Sequence, residues 1–139
     1  MARILVSQCL LGCFCRYDAQ LKTNQKVLAL AKEHVLIPVC PEQMGGLPTP
    51  RTPSERVGNQ VLMKDGTDVT ENYRRGAENA LRIAELNRVD YAILKDSSPS
   101  CGCGRIYDGT FSGRKIPGDG VLTELLKKNG YTVYNDEEI

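Results

Sequence analysis

The chain has 139 residues, 41% apolar and 25% charged, with a formal net charge of +1. That length suits one domain, residues 1–139, with a core of its own. The near-neutral charge excludes a global field for nucleic acid or an anionic membrane, and no apolar run approaches a membrane span.

The start, Met1-Ala2-Arg3-Ile4-Leu5-Val6-Ser7-Gln8, turns polar too soon for a signal peptide, so a cytoplasmic chain is expected. In that compartment six cysteines point to metal binding or catalysis rather than to a disulfide framework.

Residues 3–9 read as a buried strand, and residues 10–20 as an irregular loop rich in Cys and Gly. Residues 23–34 read as a helix capped by Thr23 or Asn24, with Val27, Leu28 and Ala31 on one face. His34 falls at its end, where a cation suits the helix dipole. Residues 35–39 form the next strand. Residues 40–60, rich in proline, read as one long loop, and such loops are usually functional or disordered.

Val61-Leu62-Met63-Lys64 reads as a short strand turned by Asp65-Gly66. Asp68 and Glu71 suggest a capping box opening a helix to about Asn87, which buries Tyr73, Ala77, Ala80, Leu81 and Ala84. A strand over 91–95, a Ser/Gly/Cys loop over 96–105 and an extended stretch from Ile106 to Phe111 follow. Leu122 to Lys128 reads as a helix stopped by Gly130, and Tyr131-Thr132-Val133-Tyr134 as a last strand. This alternation predicts an α/β, Rossmann-like, three-layer domain with a mostly parallel sheet.

Three cysteines follow apolar strand-like runs. Cys9 ends the first, Cys40 ends Val35-Leu36-Ile37-Pro38-Val39, and Cys101 follows Tyr91-Ala92-Ile93-Leu94-Lys95 through a short loop. On neighbouring parallel strands their sulfurs lie along the carboxyl edge, where open α/β sheets bind ligands. Three converging thiolates suggest a metal or a metal–sulfur cluster. Cys9, Cys13 and Cys15 are spaced C-x3-C-x-C, which fits neither the paired C-x2-C of a zinc ribbon nor the C-x3-C-x2-C of a radical-SAM cluster. That loop therefore needs partners from elsewhere in the chain.

Glu42 sits two residues from Cys40, and Gly45-Gly46 leaves backbone amides free to approach a ligand. Ser97, Ser98, Ser100, Cys101 and Cys103 crowd the third loop, where hydroxyls can bind a polar substrate or tune sulfur ligands. Asp18, Asp108 and Asp119 suit turn bonds as well as substrate contacts.

Ser7-x-Cys9-Leu10-x-Gly12-x-x-Cys15-Arg16-Tyr17-Asp18, Pro38-Val39-Cys40-Pro41-Glu42-x-x-Gly45-Gly46-Leu47 with Pro50-Arg51, and Lys95-x-x-Ser98-Pro99-Ser100-Cys101-Gly102 with Ile106-Tyr107-Asp108-Gly109-Thr110-Phe111 occur in that order. So do Asp68-Val69-Thr70 and Gly118-Asp119-Gly120-Val121. Together they resemble the family catalogued as domain of unknown function 523, over nearly the whole chain. Some of its members are thiouracil desulfidases, in which three cysteines hold a [4Fe-4S] cluster whose fourth iron is free to take sulfur from the substrate.

The resemblance implies Cys9, Cys40 and Cys101 as the three ligands. Ala19 departs from the pattern, which has Gly there, and Cys13 and Cys103 fall outside it. The implied substrate is a thiolated pyrimidine base or nucleoside. The near-neutral charge weighs against tRNA, and no membrane is involved. An open iron is a Lewis acid suited to a soft thiocarbonyl sulfur.

Glu42 is the first choice for the proton shuttle, with a salt bridge to Arg16 or Arg51 as its competing role. Ser97, Ser98 and Ser100 remain candidates to bind the pyrimidine or orient water, and Ser97 and Ser100 are carried with Glu42 as catalytic. Arg16, Arg51 and Lys95 would offset cluster charge. The competing readings are a structural zinc site and a persulfide carrier using one reactive cysteine. An aerobic preparation could hold zinc, or nothing, in place of the cluster.

Overall fold

A computed structural model describes all residues from Met1 to Ile139. In chain order the elements are β1 (Arg3–Ser7), α1 (Gln25–Ala29), β2 (Val35–Val39), α2 (Pro41–Met44), β3 (Ser54–Val57) and β4 (Gln60–Met63). They continue with α3 (Thr70–Leu86), β5 (Tyr91–Leu94), β6 (Arg105–Tyr107), β7 (Lys115–Pro117), α4 (Val121–Lys128) and β8 (Val133–Asn135). Four strands make one sheet in the order β2-β1-β5-β8, every neighbouring pair parallel. The chain leaves β1 for β2 on one side and returns past β1 to β5 on the other. That reversal opens a crevice at the carboxyl ends of β1 and β5.

Side chains alternate across the sheet with the strand period of two. Leu5, Ile37, Val39, Ala92 and Leu94 pack on α3 and α4 through Ala77, Ala80, Ala84, Leu122 and Leu126. On the opposite face Ile4, Val6 and Ile93 pack with Leu10, Val27 and the thiols of Cys9, Cys15 and Cys40. Both faces are covered, which is why these strands read as continuous apolar runs. Each fully buried Leu or Ile contributes roughly 1.5–3 kcal/mol. The three-layer α/β arrangement expected from the sequence is the one observed. No helix is long and apolar enough to cross a membrane.

Several local expectations are corrected. The first helix stops at Ala29 and tightens into a 3-10 turn over Leu30–Lys32. At three residues per turn Leu30, rather than Ala31, shares a side with Val27, and Leu28 and Ala31 stay exposed. Asn24 is the cap, its Oδ1 accepting from the amides of Lys26 and Val27. His34 caps nothing: its Nδ1 accepts from the Ala2 amide at 2.9 Å and fastens the entry to β1. Asp68 forms no capping box. It accepts from the Thr70 amide and hydroxyl in a local turn ahead of α3. The last strand begins at Val133 rather than Tyr131. β6 and β7 form an antiparallel hairpin, where only an extended stretch from Ile106 to Phe111 was expected.

The 40–60 segment is not one loop. It holds α2, which Pro41 opens with its fixed φ and missing donor, and β3, which pairs with β4. Gly45 sits where α2 meets α3. A Cβ there would lie 1.9 Å from the Asn72 carbonyl oxygen, and one at Gly76 1.8 Å from the Pro41 oxygen. The two glycines let α2 press directly on α3. Asn72 and Asn79 then donate to the carbonyls of Gly45 and Met44 at the open end of α2. This contact fixes the segment that carries Cys40 and Glu42.

Candidate active site

The three strand-end thiols converge. Cys9 lies in the 3-10 turn after β1, Cys40 at the junction of β2 and α2, and Cys101 in the loop after β5. All are buried, and all line one cavity of about 600 Å³. Their loops meet there because β1 is paired on one side to β2 and on the other to β5.

A buried polar chain joins the three loops beside the thiols. Arg51, its side chain 2% exposed, forms an ion pair with Glu42 Oε2. It also donates to the carbonyls of Cys15 at 2.8 Å and Pro48 at 3.0 Å. Glu42 Oε1 accepts from the Ser100 hydroxyl at 3.1 Å and the Tyr73 hydroxyl at 3.3 Å. Ser100 Oγ lies 3.6 Å from Cys101 Sγ. Ser98 Oγ accepts from the amides of Ser100 and Cys101 and so shapes the loop. Glu42 thus makes the expected salt bridge to Arg51 with one oxygen, while its other oxygen faces the serine loop. Arg16 pairs with Asp18 instead.

Ser97 is also buried against the cavity, and its Oγ has no hydrogen-bond partner. Its backbone is left-handed, φ +65°, a strained conformation for serine. The three aspartates hold loops. Asp18 accepts from Gln20, Asp108 from Thr110, and Asp119 from Gly104 and Lys127. Ala19, where the resembled pattern has glycine, has φ +56°. The turn keeps the glycine conformation at a cost of roughly 1–2 kcal/mol.

Cys15 is one of three thiols, with Cys13 and Cys103, that the sequence left without a role, and the one of them that lines the cavity. It is 2% exposed and packs between Cys9 and Cys40. Its hydrogen bond holds the Cys9 thiol below its usual range and Cys40 down to about 7, while its own is pushed far up. Burial pushes Cys101 up to about 12. Tyr73 was expected only as core, because a helix-face pattern does not show where a hydroxyl ends.

The donor set suits a cluster better than a single ion. Thiolates around one zinc sit roughly 4 Å apart. No group of three or more Cys, His, Asp or Glu side chains gathers closely enough to hold one metal ion. A cubane, which adds its own sulfides, spreads its protein ligands more widely. Arg16, Lys22, Lys64, Lys95 and Lys115 also line the cavity and supply positive charge.

Asp96 braces the floor of the site. Its carboxylate accepts from Arg105 through two bonds of 3.0 and 2.7 Å and from Asn135 at 2.7 Å, with Lys115 Nζ 3.7 Å away. Its amide donates to Asp136. Burial alone would raise the carboxyl, but the Arg105 and Asn135 hydrogen bonds outweigh it and hold it well below the usual range. The folded state therefore binds fewer protons here than the unfolded chain. The stabilisation is complete above the ordinary Asp value of 3.8 and is lost as pH falls below it. Melting measured from about pH 5 to pH 2 should show a steeper acid loss for the wild type than for Asp96→Asn. Parallel acid limbs would refute the brace.

The comparisons with known proteins agree with this geometry. A Bacillus subtilis (strain 168) protein described as uncharacterized protein YbbK is 42% identical over 146 residues, covering 98% of this chain and 97% of its own. The solved structure of the [4Fe-4S]-dependent thiouracil desulfidase TudS matches with a TM-score of 0.94 and 44% identity, covering 100% of this chain and 93% of that one. The family model described as 2-thiouracil desulfurase matches residues 4–138. With its fold and nearly its full length in agreement, the chain belongs to the 2-thiouracil desulfurase family.

Proposed function

We propose that the protein is a cytoplasmic desulfidase that converts a thiolated pyrimidine base or nucleoside and water into the oxo-pyrimidine and hydrosulfide. In this reading Cys9, Cys40 and Cys101 ligate a [4Fe-4S] cluster. The observation that carries it is the convergence of three strand-end thiols on one cavity beside the Glu42–Ser100 hydrogen bond. When bound, the cluster supplies an open iron, a Lewis acid matched to a soft thiocarbonyl sulfur.

The chain's own residues handle water and protons. Arg51 occupies Glu42 Oε2, so Oε1 is the oxygen left to take a proton. The Ser100 hydroxyl lies between Oε1 and the Cys101 sulfur and relays the proton from the attacking water to Oε1. As the C–S bond breaks, that proton returns to the departing sulfur, the hydroxyl left on the ring carbon gives its own proton to solvent as the carbonyl forms, and no electron leaves or enters. The unpartnered Ser97 hydroxyl hydrogen-bonds a ring nitrogen or carbonyl of the substrate. A cavity of about 600 Å³ suits a base or nucleoside rather than the body of a tRNA.

The test is anaerobic reconstitution with iron and sulfide, followed by hydrosulfide release from 2- and 4-thiouracil. Uracil and hydrosulfide should appear one to one with no added oxidant or reductant. A loaded protein that releases none refutes the reaction.

A further inference from the structure

Four of the eight aromatic residues, Tyr17, Tyr73, Tyr107 and Phe111, line the cavity. Three are already engaged. The Tyr73 hydroxyl is on Glu42. The Arg16 guanidinium lies 5.6 Å from the Tyr17 ring centre and the Lys115 ammonium 5.3 Å from that of Tyr107. The Phe111 ring has neither a cation nor another aromatic ring against it.

The backbone of Phe111 is held on purpose-built contacts. Phe111 has φ +56°, a conformation a bulky side chain rarely takes. Its amide donates to Glu55 Oε1 at 3.1 Å, and the Gly109 amide donates to the same oxygen at 2.9 Å. Glu55 is 8% exposed on β3, so this carboxylate is spent on fastening the β6–β7 hairpin. Gly109 closes against the same strand, where a Cβ would lie 2.4 Å from Val57 Cγ2. Strain maintained by a buried charge beside a cavity signals a functional constraint.

We propose that Phe111 is a specificity-determining residue of this site: its ring is the platform on which the flat heteroaromatic substrate stacks. Glu55 is the positioning residue that keeps it facing the cavity. The identity of the stacked ring as a thiolated pyrimidine rests on the desulfidase reading above; the platform itself does not. Stacking is indifferent to where the ring's substituents sit, because every such ring has a π-face. The platform therefore selects for a planar ring and leaves the choice between 2- and 4-thio isomers to polar groups such as Ser97.

Kinetics and fluorescence test this on the reconstituted protein. Phe111→Ala and Phe111→Leu should each raise KM for thiouracil on the order of tenfold, with kcat within about twofold, because leucine fills space without a π-face. Phe111→Tyr should keep the wild-type KM. Glu55→Ala should raise KM similarly, and Glu55→Gln, whose amide oxygen still accepts both N–H groups, should restore it. The chain has no Trp, so Phe111→Trp adds a single reporter whose emission uracil should quench in a saturable titration. Melting curves identify any variant that fails to fold, and the tryptophan titration then decides.

An unchanged KM in folded Phe111→Ala, or tryptophan emission that uracil does not move, overturns the platform. If the wild type releases no hydrosulfide yet uracil quenches the reporter, the reaction falls and the platform stands.

Discussion

Cys9→Ser, Cys40→Ser and Cys101→Ser should each abolish both the brown cluster and hydrosulfide release, whereas Cys13→Ser and Cys103→Ser should preserve both. The three affected thiols are buried and line the cavity from three separate loops. On the proposed ligation, removing any one would leave two protein ligands and open a second iron to exchange. Cys13 and Cys103 are only half-buried and do not line the cavity. The Cys103 thiol donates to the Val133 carbonyl at 3.4 Å, on the α4 side of the sheet. The measurement is iron and acid-labile sulfide per chain after anaerobic reconstitution, with a ratio near one in the wild type. If a single cysteine carries the activity and the other two are dispensable, the persulfide reading replaces the cluster. Cluster retention in all three variants would show that the ligands lie elsewhere.

Glu42→Gln should lower kcat on the order of a hundredfold or more while the cluster is retained, because general acid–base groups contribute about that much. The change keeps the side-chain shape but strands Arg51, whose side chain is 2% exposed. Leaving a buried cation unpaired costs roughly 3–5 kcal/mol, so this variant should also melt earlier. Ser100→Ala separates the two effects. It removes a hydroxyl next to Glu42 and Cys101 without exposing a charge, and should lower kcat by about tenfold or more with little change in melting. Wild-type kcat in Ser100→Ala, with cluster intact, would remove the serine from the proton path. Wild-type kcat in folded Glu42→Gln would remove the carboxylate.

The chain order of apolar runs and helical patterns made the α/β class legible, because a strand buried on both faces must be apolar throughout. The same runs located Cys9, Cys40 and Cys101 at strand ends, and the motifs around them carried the family resemblance. Glu42 was legible through its nearness to Cys40. Local winding was less so. Pro41 disguised α2 as loop, since a proline at a first helical turn looks like any other breaker. Gly45 looked like freedom for a backbone amide and Gly76 drew no reading, although each is needed for a contact with the opposite helix.

By itself, then, the sequence determined where the four strands of the central sheet lie, which thiols follow them and which chemistry those thiols suggest. Only the tertiary structure decided what stands next to what. Strand order placed β1 between β2 and β5, so three loops far apart in the chain meet at one cavity. Arg51 reaching Glu42, Ser100 reaching across to the same carboxylate, Cys15 packing between two other thiols, and Glu55 holding Phe111 are all consequences of that meeting. The physical reason is range. Periodicity and turn chemistry act between near neighbours, whereas a buried polar chain is assembled by how whole elements pack.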